Sequence, residues 1–132
     1  MKNKTDSTRK ISIIGCGSVG ATTAYTYLLS GSTNHLVLID RDAKKAEGLM
    51  LDLEHSTAFT PYLKIEATAS YSACAHSQLI VITAGVRQLE GESRLDLVKK
   101  TKAVFAEIIP KIAKVAPQAI LLVVSNPVDV LT

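Results

Sequence analysis

At 132 residues and a formal net charge of +3, the chain has room for one α/β domain with a real hydrophobic core. Its modest charge forms no block of one sign and is not interleaved with aromatics, which argues against a nucleic-acid surface. Hydrophobic residues make up 47% and aromatics only 5%, so the core must be built from Val, Ile, Leu and Ala, as in parallel sheets buried on both faces.

Met1 to Lys10 is polar, carries Lys2, Lys4, Arg9 and Lys10, and leads into no signal-type apolar region. Residues 1–8 are expected to be a loose tail and residues 9–132 the domain. No apolar run has the length of a membrane span, so a soluble, cytoplasmic protein is expected. Cys16 and Cys74, the only cysteines, lack metal-site spacing and read as free, small hydrophobes; no metal is expected.

Ile11-Ser12-Ile13-Ile14 predicts a first strand, ended by Gly15. A helix follows from about Val19 to Ser30, with Gly31 placed to stop it. Leu36-Val37-Leu38-Ile39 predicts a second strand, and Asp42 starts a helix with Ala46, Leu49, Met50 and Leu53 at helical spacing. Lys64 to Ala69 alternates as a third strand, and Leu79-Ile80-Val81-Ile82 forms a fourth. A loop over Gly85 to Ser93 then opens a long helical tract, which Pro110 should kink or split and Pro117 should end. Ala119 to Val124 is the fifth strand. Strands alternating with helices imply a Rossmann-type, doubly wound parallel sheet in the order 3-2-1-4-5, with ligands bound at the carboxyl ends near the reversal.

Gly15-Cys16-Gly17-Ser18-Val19-Gly20 sits between a strand and a helix, the context a dinucleotide-binding loop requires. Gly15 permits the turn, Gly17 lets backbone approach a pyrophosphate, Gly20 lets helix and strand pack closely, and the helix start offers N–H groups to phosphate. Asp40 ends the second strand about twenty residues later, where a carboxylate accepts hydrogen bonds from ribose hydroxyls and repels a 2′-phosphate. NAD is therefore favoured over NADP, although the adjacent Arg41 softens that preference. The simpler reading of Asp40 alone is a helix cap.

Further segments run from Thr83-Ala84-Gly85-Val86-Arg87-Gln88 through Gly91-Glu92-Ser93-Arg94 to Val98, and from Val124-Ser125-Asn126-Pro127 to Thr132. Together with Asp52-Leu53-Glu54-His55-Ser56, they make the chain from about Arg9 onward resemble the lactate/malate dehydrogenase family, its L-lactate branch most of all. The resemblance implies that Gly15, Cys16, Gly17, Ser18, Val19, Gly20 and Asp40 bind NAD. It adds Thr83, Ala84 and Gly85 along the cofactor, Arg87 at its phosphates, and Val124, Asn126 and Thr101 as further contacts. At Thr101 the family commonly has asparagine, which puts that contact in doubt.

Arg94 resembles the loop arginine that closes over the substrate and polarises its carbonyl, and Asn126 the asparagine that bonds the substrate oxygen. A fixed cation and an amide donor there would stabilise charge developing on a ketone oxygen. Gly85 and Gly91 bracket the loop and free it to swing. Gln88, six residues ahead of Arg94, stands where malate enzymes of the family carry an arginine for a second carboxylate. A neutral side chain there favours pyruvate and L-lactate.

The resemblance also implies that the family's substrate domain, with its proton-donating histidine, the aspartate that orients it and a carboxylate-binding arginine, follows the segment matching Leu131-Thr132. His35, His55 and His76 read as structural or surface residues. The chain is thus expected to be the NAD-binding part of an enzyme, inactive alone, with the fifth strand left as an unpaired apolar edge. The complete enzyme would be a homotetramer or dimer. The competing readings are a malate dehydrogenase and a non-catalytic NAD-binding module.

Overall fold

The computed structural model describes residues 8–86, 90–91 and 93–132. Five strands form one parallel sheet in the order β3-β2-β1-β4-β5, as expected. They are β1 (Lys10–Ile14), β2 (His35–Ile39), β3 (Lys64–Thr68), β4 (Leu79–Ile82) and β5 (Ile120–Val123). The helices are α1 (Ser18–Ser30), α2 (Ala43–Ser56), α3 (Arg94–Val115) and the single turn α4 (Val128–Leu131).

The strand sequences divide the core in two. Successive side chains of a strand point to opposite faces. Leu36 and Leu38 accordingly join Ile11, Ile13, Ala24, Leu28, Ala46 and Leu53 beneath α1 and α2. Val37 and Ile39 join Ile14, Ile80, Ile82, Phe105, Ile108 and Ile112 beneath α3. Both faces of β1, β2 and β4 are therefore dry, which explains their continuous apolar runs. Ser12, fully buried within β1, pairs its hydroxyl with that of Ser77 at 2.8 Å.

Register aligns the carboxyl ends. Ile14 lies opposite Ile39 and Ile82, and Ile82 lies opposite Val123, so the loops that follow these strands open on one edge of the sheet. β5 differs from the other strands. Ile120 is 69% exposed and Leu121 and Leu122 are also exposed on this edge strand, which among the described residues pairs with β4 alone.

The helix ends follow local chemistry. Asp42 caps α2, accepting the N–H groups of Lys44 and Lys45, and Ser93 caps α3 by accepting that of Asp96. Gly31 closes α1 in the left-handed conformation at φ 61°, as the sequence predicts. Pro110 does not split the long helical tract: α3 is assigned as one helix from Arg94 to Val115. Pro110 and Ala106 both lie on its exposed side, where water can satisfy the carbonyl that loses its N–H partner. Ala116, preceding Pro117, leaves helical geometry and ends α3. Among the described residues no helix is long and apolar enough to cross a membrane.

Candidate functional site: the cleft at the carboxyl ends of the strands

The loop from Gly15 to Gly20 is held by its own backbone and by both neighbouring strands. The N–H of Gly15 donates to the Ile39 carbonyl at 2.8 Å. Gly15 has φ +101°, a conformation that L side chains rarely adopt, and a Cβ there would lie 2.7 Å from the Ala84 nitrogen. At Gly20 a Cβ would come within 1.8 Å of the Gly15 carbonyl oxygen, so this glycine is what allows α1 to start so close to β1. Nothing lies within 4 Å of the Cβ position at Gly17, so that side of the loop stands open to a ligand.

Gly17 is the N-cap of α1 and has no side chain with which to bond the first-turn N–H groups. The helix start thus keeps free donors and the positive end of its dipole for an anion. Ser18 and Val19 in this first turn are exposed. An open loop, close backbone and uncapped donors are what a dinucleotide pyrophosphate requires, so the residues present fit that group.

Asp40 lies at the rim with its side chain 13% exposed. One carboxylate oxygen accepts the Cys16 N–H at 2.8 Å and the other accepts the Asp42 N–H at 3.1 Å. Lys45 Nζ stands 3.8 Å away. Asp42, not Asp40, caps α2, which removes the helix-cap reading of Asp40. Asp40 therefore braces the glycine loop, with its partly exposed carboxylate at the rim of the cleft. The thiol of Cys16 is buried, and burial reinforced by the Asp40 charge pushes its pKa up to about 11. Cys16 and Cys74 are both free and buried, as the sequence predicts.

Asp40 shares a cleft with Ile14, Gly15, Ile39, Arg41, Lys45, Tyr71, Ala84, Gly85, Val86, Val104 and Ile108. The apolar members form a slot beside the carboxylate, suited to a flat base next to its sugar. Sequence reasoning did not single out Lys45, Tyr71, Val104 or Ile108. The helical spacing of Val104 and Ile108 is the same whether they face core or ligand, and only the packing of α3 brings them to the rim.

The Thr83 hydroxyl donates to the Gly15 carbonyl at 2.8 Å and approaches that of Ile14 at 3.2 Å. It ties the end of β4 to the glycine loop. Ser125, absent from the expected site residues, donates its hydroxyl to the Ala84 carbonyl at 2.6 Å and so joins the loops after β4 and β5. The Val124 N–H donates to the Ile82 carbonyl at 3.0 Å, extending that connection.

A second cavity, of about 480 Å³, is lined by Arg94, Leu97, Val98, Asn126 and Pro127. Arg94 is the first residue of α3, and Asn126 follows β5 at a cis peptide bond to Pro127. The fold thus places Arg94 and Asn126, both singled out by the sequence, in the lining of one cavity. Thr101 is 2% exposed within α3 and lines neither of these cavities. Arg87 and Gln88 lie outside the described residues. None of the three histidines reaches either cavity. His35 opens β2 beside Glu66, His55 sits in the exposed last turn of α2, and His76 lies before β4 at the amino end of the sheet.

A family model described as "lactate/malate dehydrogenase, NAD binding domain" matches residues 9–132. The L-lactate dehydrogenase of Acetivibrio thermocellus is 49% identical over 124 residues, covering 94% of this chain and 39% of that protein. The L-lactate dehydrogenase B chain of Sceloporus woodi is 47% identical over 128 residues, covering 97% of this chain and 38% of that protein. Among solved structures, a lactate dehydrogenase (MGS-M5) from a Medee basin deep-sea metagenome library superposes with a TM-score of 0.87 at 43% identity, covering 93% of this chain and 39% of that one. Malate dehydrogenase from Archaeoglobus fulgidus in complex with NADH gives a TM-score of 0.89 at 40% identity, covering 93% of this chain and 42% of that one. The chain therefore spans about two fifths of the length of these relatives.

Proposed function

Because the chain belongs to the lactate/malate dehydrogenase family and forms its NAD-binding domain, we propose that it serves an L-lactate dehydrogenase that interconverts pyruvate and L-lactate. The observation that carries this reading is the shared cavity of Arg94 and Asn126 beside the dinucleotide cleft. A module that only bound NAD would have no use for a cation and an amide gathered there.

Gly15, Gly17, Gly20 and the free N–H groups at the start of α1 hold the pyrophosphate, and Asp40 takes the ribose hydroxyls. Thr83, Ala84, Gly85 and Val124 position the rest of the dinucleotide, and Arg87 adds charge at its phosphates. When bound, the nicotinamide supplies the hydride. Arg94 and Asn126 donate hydrogen bonds to the ketone oxygen, where negative charge accumulates as the reaction proceeds. Preorganised donors in a site closed to water stabilise that charge more than they stabilise the neutral ketone. Gln88 leaves room for a methyl group and offers no cation to a second carboxylate, which supports pyruvate over oxaloacetate.

The reduction also needs a proton donor, and none of the histidines of these residues stands at the cavity. A polypeptide of these 132 residues is therefore expected to bind NADH without reducing pyruvate. The complete enzyme is proposed to be a cytoplasmic homotetramer or dimer. Phe59 and Tyr62, 94% and 82% exposed, add apolar surface that assembly would cover.

The test is NADH oxidation by the full-length protein with pyruvate and with oxaloacetate. Faster turnover of pyruvate, lost on Arg94→Gln, supports the proposal. Preference for oxaloacetate would make the enzyme a malate dehydrogenase. Binding of NADH with neither substrate consumed would leave the non-catalytic module.

A further inference from the structure

The carboxylate at the adenosine rim is more fully compensated than its position in the sequence indicates. Both oxygens of Asp40 accept backbone N–H groups and the Lys45 ammonium lies 3.8 Å away, so its negative charge is already offset by two hydrogen-bond donors and a nearby cation. The next residue, Arg41, is exposed and lines the same cleft. No hydrogen bond or ion pair engages its guanidinium among the described residues.

Arg41 and Tyr71 also line an adjoining cavity of about 530 Å³, which Lys111 and Lys114 share. The one carboxylate in that lining, Glu107, is paired with Lys111 at 2.6 Å. The rim of the adenosine cleft thus has an excess of positive charge, and an unengaged guanidinium stands beside the ribose-binding carboxylate. An arginine near this position is what accommodates a 2′-phosphate in dinucleotide folds. A phosphate ester carries about −1.5 to −2 charges at neutral pH and is matched by the planar donor array of arginine.

We propose that this cleft also accepts a 2′-phosphorylated dinucleotide, NADPH as well as NADH, with Arg41 bonding the phosphate and Lys45 offsetting the charge of Asp40. The inference rests on the reading of the cleft as the cofactor site. Asp40 still repels the phosphate, so NADH remains the tighter ligand. The charge-assisted bond from Arg41, and the offset of the Asp40 charge by Lys45, narrow the margin.

The experiment is an equilibrium titration of the protein with NADH and NADPH, followed by nicotinamide fluorescence, with 5′-AMP and 2′,5′-ADP as probes that lack the nicotinamide. The Kd of NADPH is expected within about thirtyfold of that of NADH. Arg41→Ala should raise the NADPH and 2′,5′-ADP constants about tenfold more than those of NADH and 5′-AMP, and Arg41→Lys should restore part of the difference. Binding of NADPH weaker by more than about thirtyfold, or an equal effect of Arg41→Ala on both members of each pair, overturns this inference alone. Failure of both NADH and 5′-AMP to bind overturns the cofactor assignment and this inference with it.

Discussion

The carboxylate of Asp40 accepts the backbone N–H of Cys16 at 2.8 Å, joining the end of β2 to the glycine loop that follows β1. One side chain thereby fixes the loop proposed for the pyrophosphate and presents the acceptor proposed for the ribose. Binding and local order are coupled at this residue.

Replacing Asp40 separates the two roles. Asp40→Ala removes a charge-assisted bond and leaves the Cys16 N–H without its partner, at a cost of about 1.5–3 kcal/mol of stability. It should also raise the Kd for NADH at least about tenfold. Asp40→Asn keeps an acceptor for Cys16 and should recover most of the stability but less of the affinity. Urea denaturation and NADH titration of both variants check this; equal losses in the two variants would contradict it.

Gly20 and Gly48 are both helical glycines with opposite expectations. A Cβ at Gly20 would lie 1.8 Å from the Gly15 carbonyl oxygen, so Gly20→Ala must push α1 away from the loop. The cost should be about 3 kcal/mol, with loss of NADH binding. Nothing lies within 4 Å of the Cβ position at Gly48, in the exposed part of α2, so Gly48→Ala should stabilise by about 0.5–1 kcal/mol. Thermal melts of the two variants should shift in opposite directions.

Arg94→Gln in the full-length enzyme should lower kcat for pyruvate by about 10²–10³. The affinity for NADH should change little, because Arg94 lines the cavity with Asn126 and not the adenosine cleft. Steady-state kinetics combined with NADH titration distinguishes this from a general loss of folding, which would weaken both.

The thiol of Cys16 has its pKa raised from 9.0 to about 11 by burial and by the Asp40 charge. A folded pKa above the unfolded one means that the folded state holds its proton more tightly. This contribution to stability is complete below pH 9 and lost as the pH rises toward 11. Cys16→Ala should flatten the fall in stability across that window, measured by denaturation at several pH values. Alkylation of native Cys16 at neutral pH should be slow.

The outer strand β5 carries the exposed Ile120, Leu121 and Leu122. A polypeptide of these 132 residues prepared alone should self-associate through that edge. Ile120→Lys with Leu122→Lys should shift it toward monomer in sedimentation velocity. A parent polypeptide already monomeric and cooperatively unfolding would refute the idea.

The glycine loop, Asp40 and the strand order were legible in the sequence because each depends on short-range rules: a turn that needs φ above zero, a carboxylate at a strand end, and strands alternating with helices. The apolar runs of β1, β2 and β4 announced strands buried on both faces. The run in β5 reads the same by composition, but the strand order already placed it at the outer edge, where it lies largely exposed. Pro110 was expected to kink or split the tract; it does not split it, because the exposed side leaves the lost carbonyl partner to water.

The tertiary structure alone decided the contacts between loops. Thr83 to Gly15, Ser125 to Ala84 and Cys16 to Asp40 join residues far apart in the chain, and no periodicity records them. The same holds for Lys45 beside Asp40 and for Tyr71, Val104 and Ile108 in the cleft. The sequence by itself determined the elements and the cofactor loop, because local sterics and hydrophobic period act within a few residues. The pairing of charges and donors across the cleft depended on packing, which places side chains only once the sheet and helices have docked.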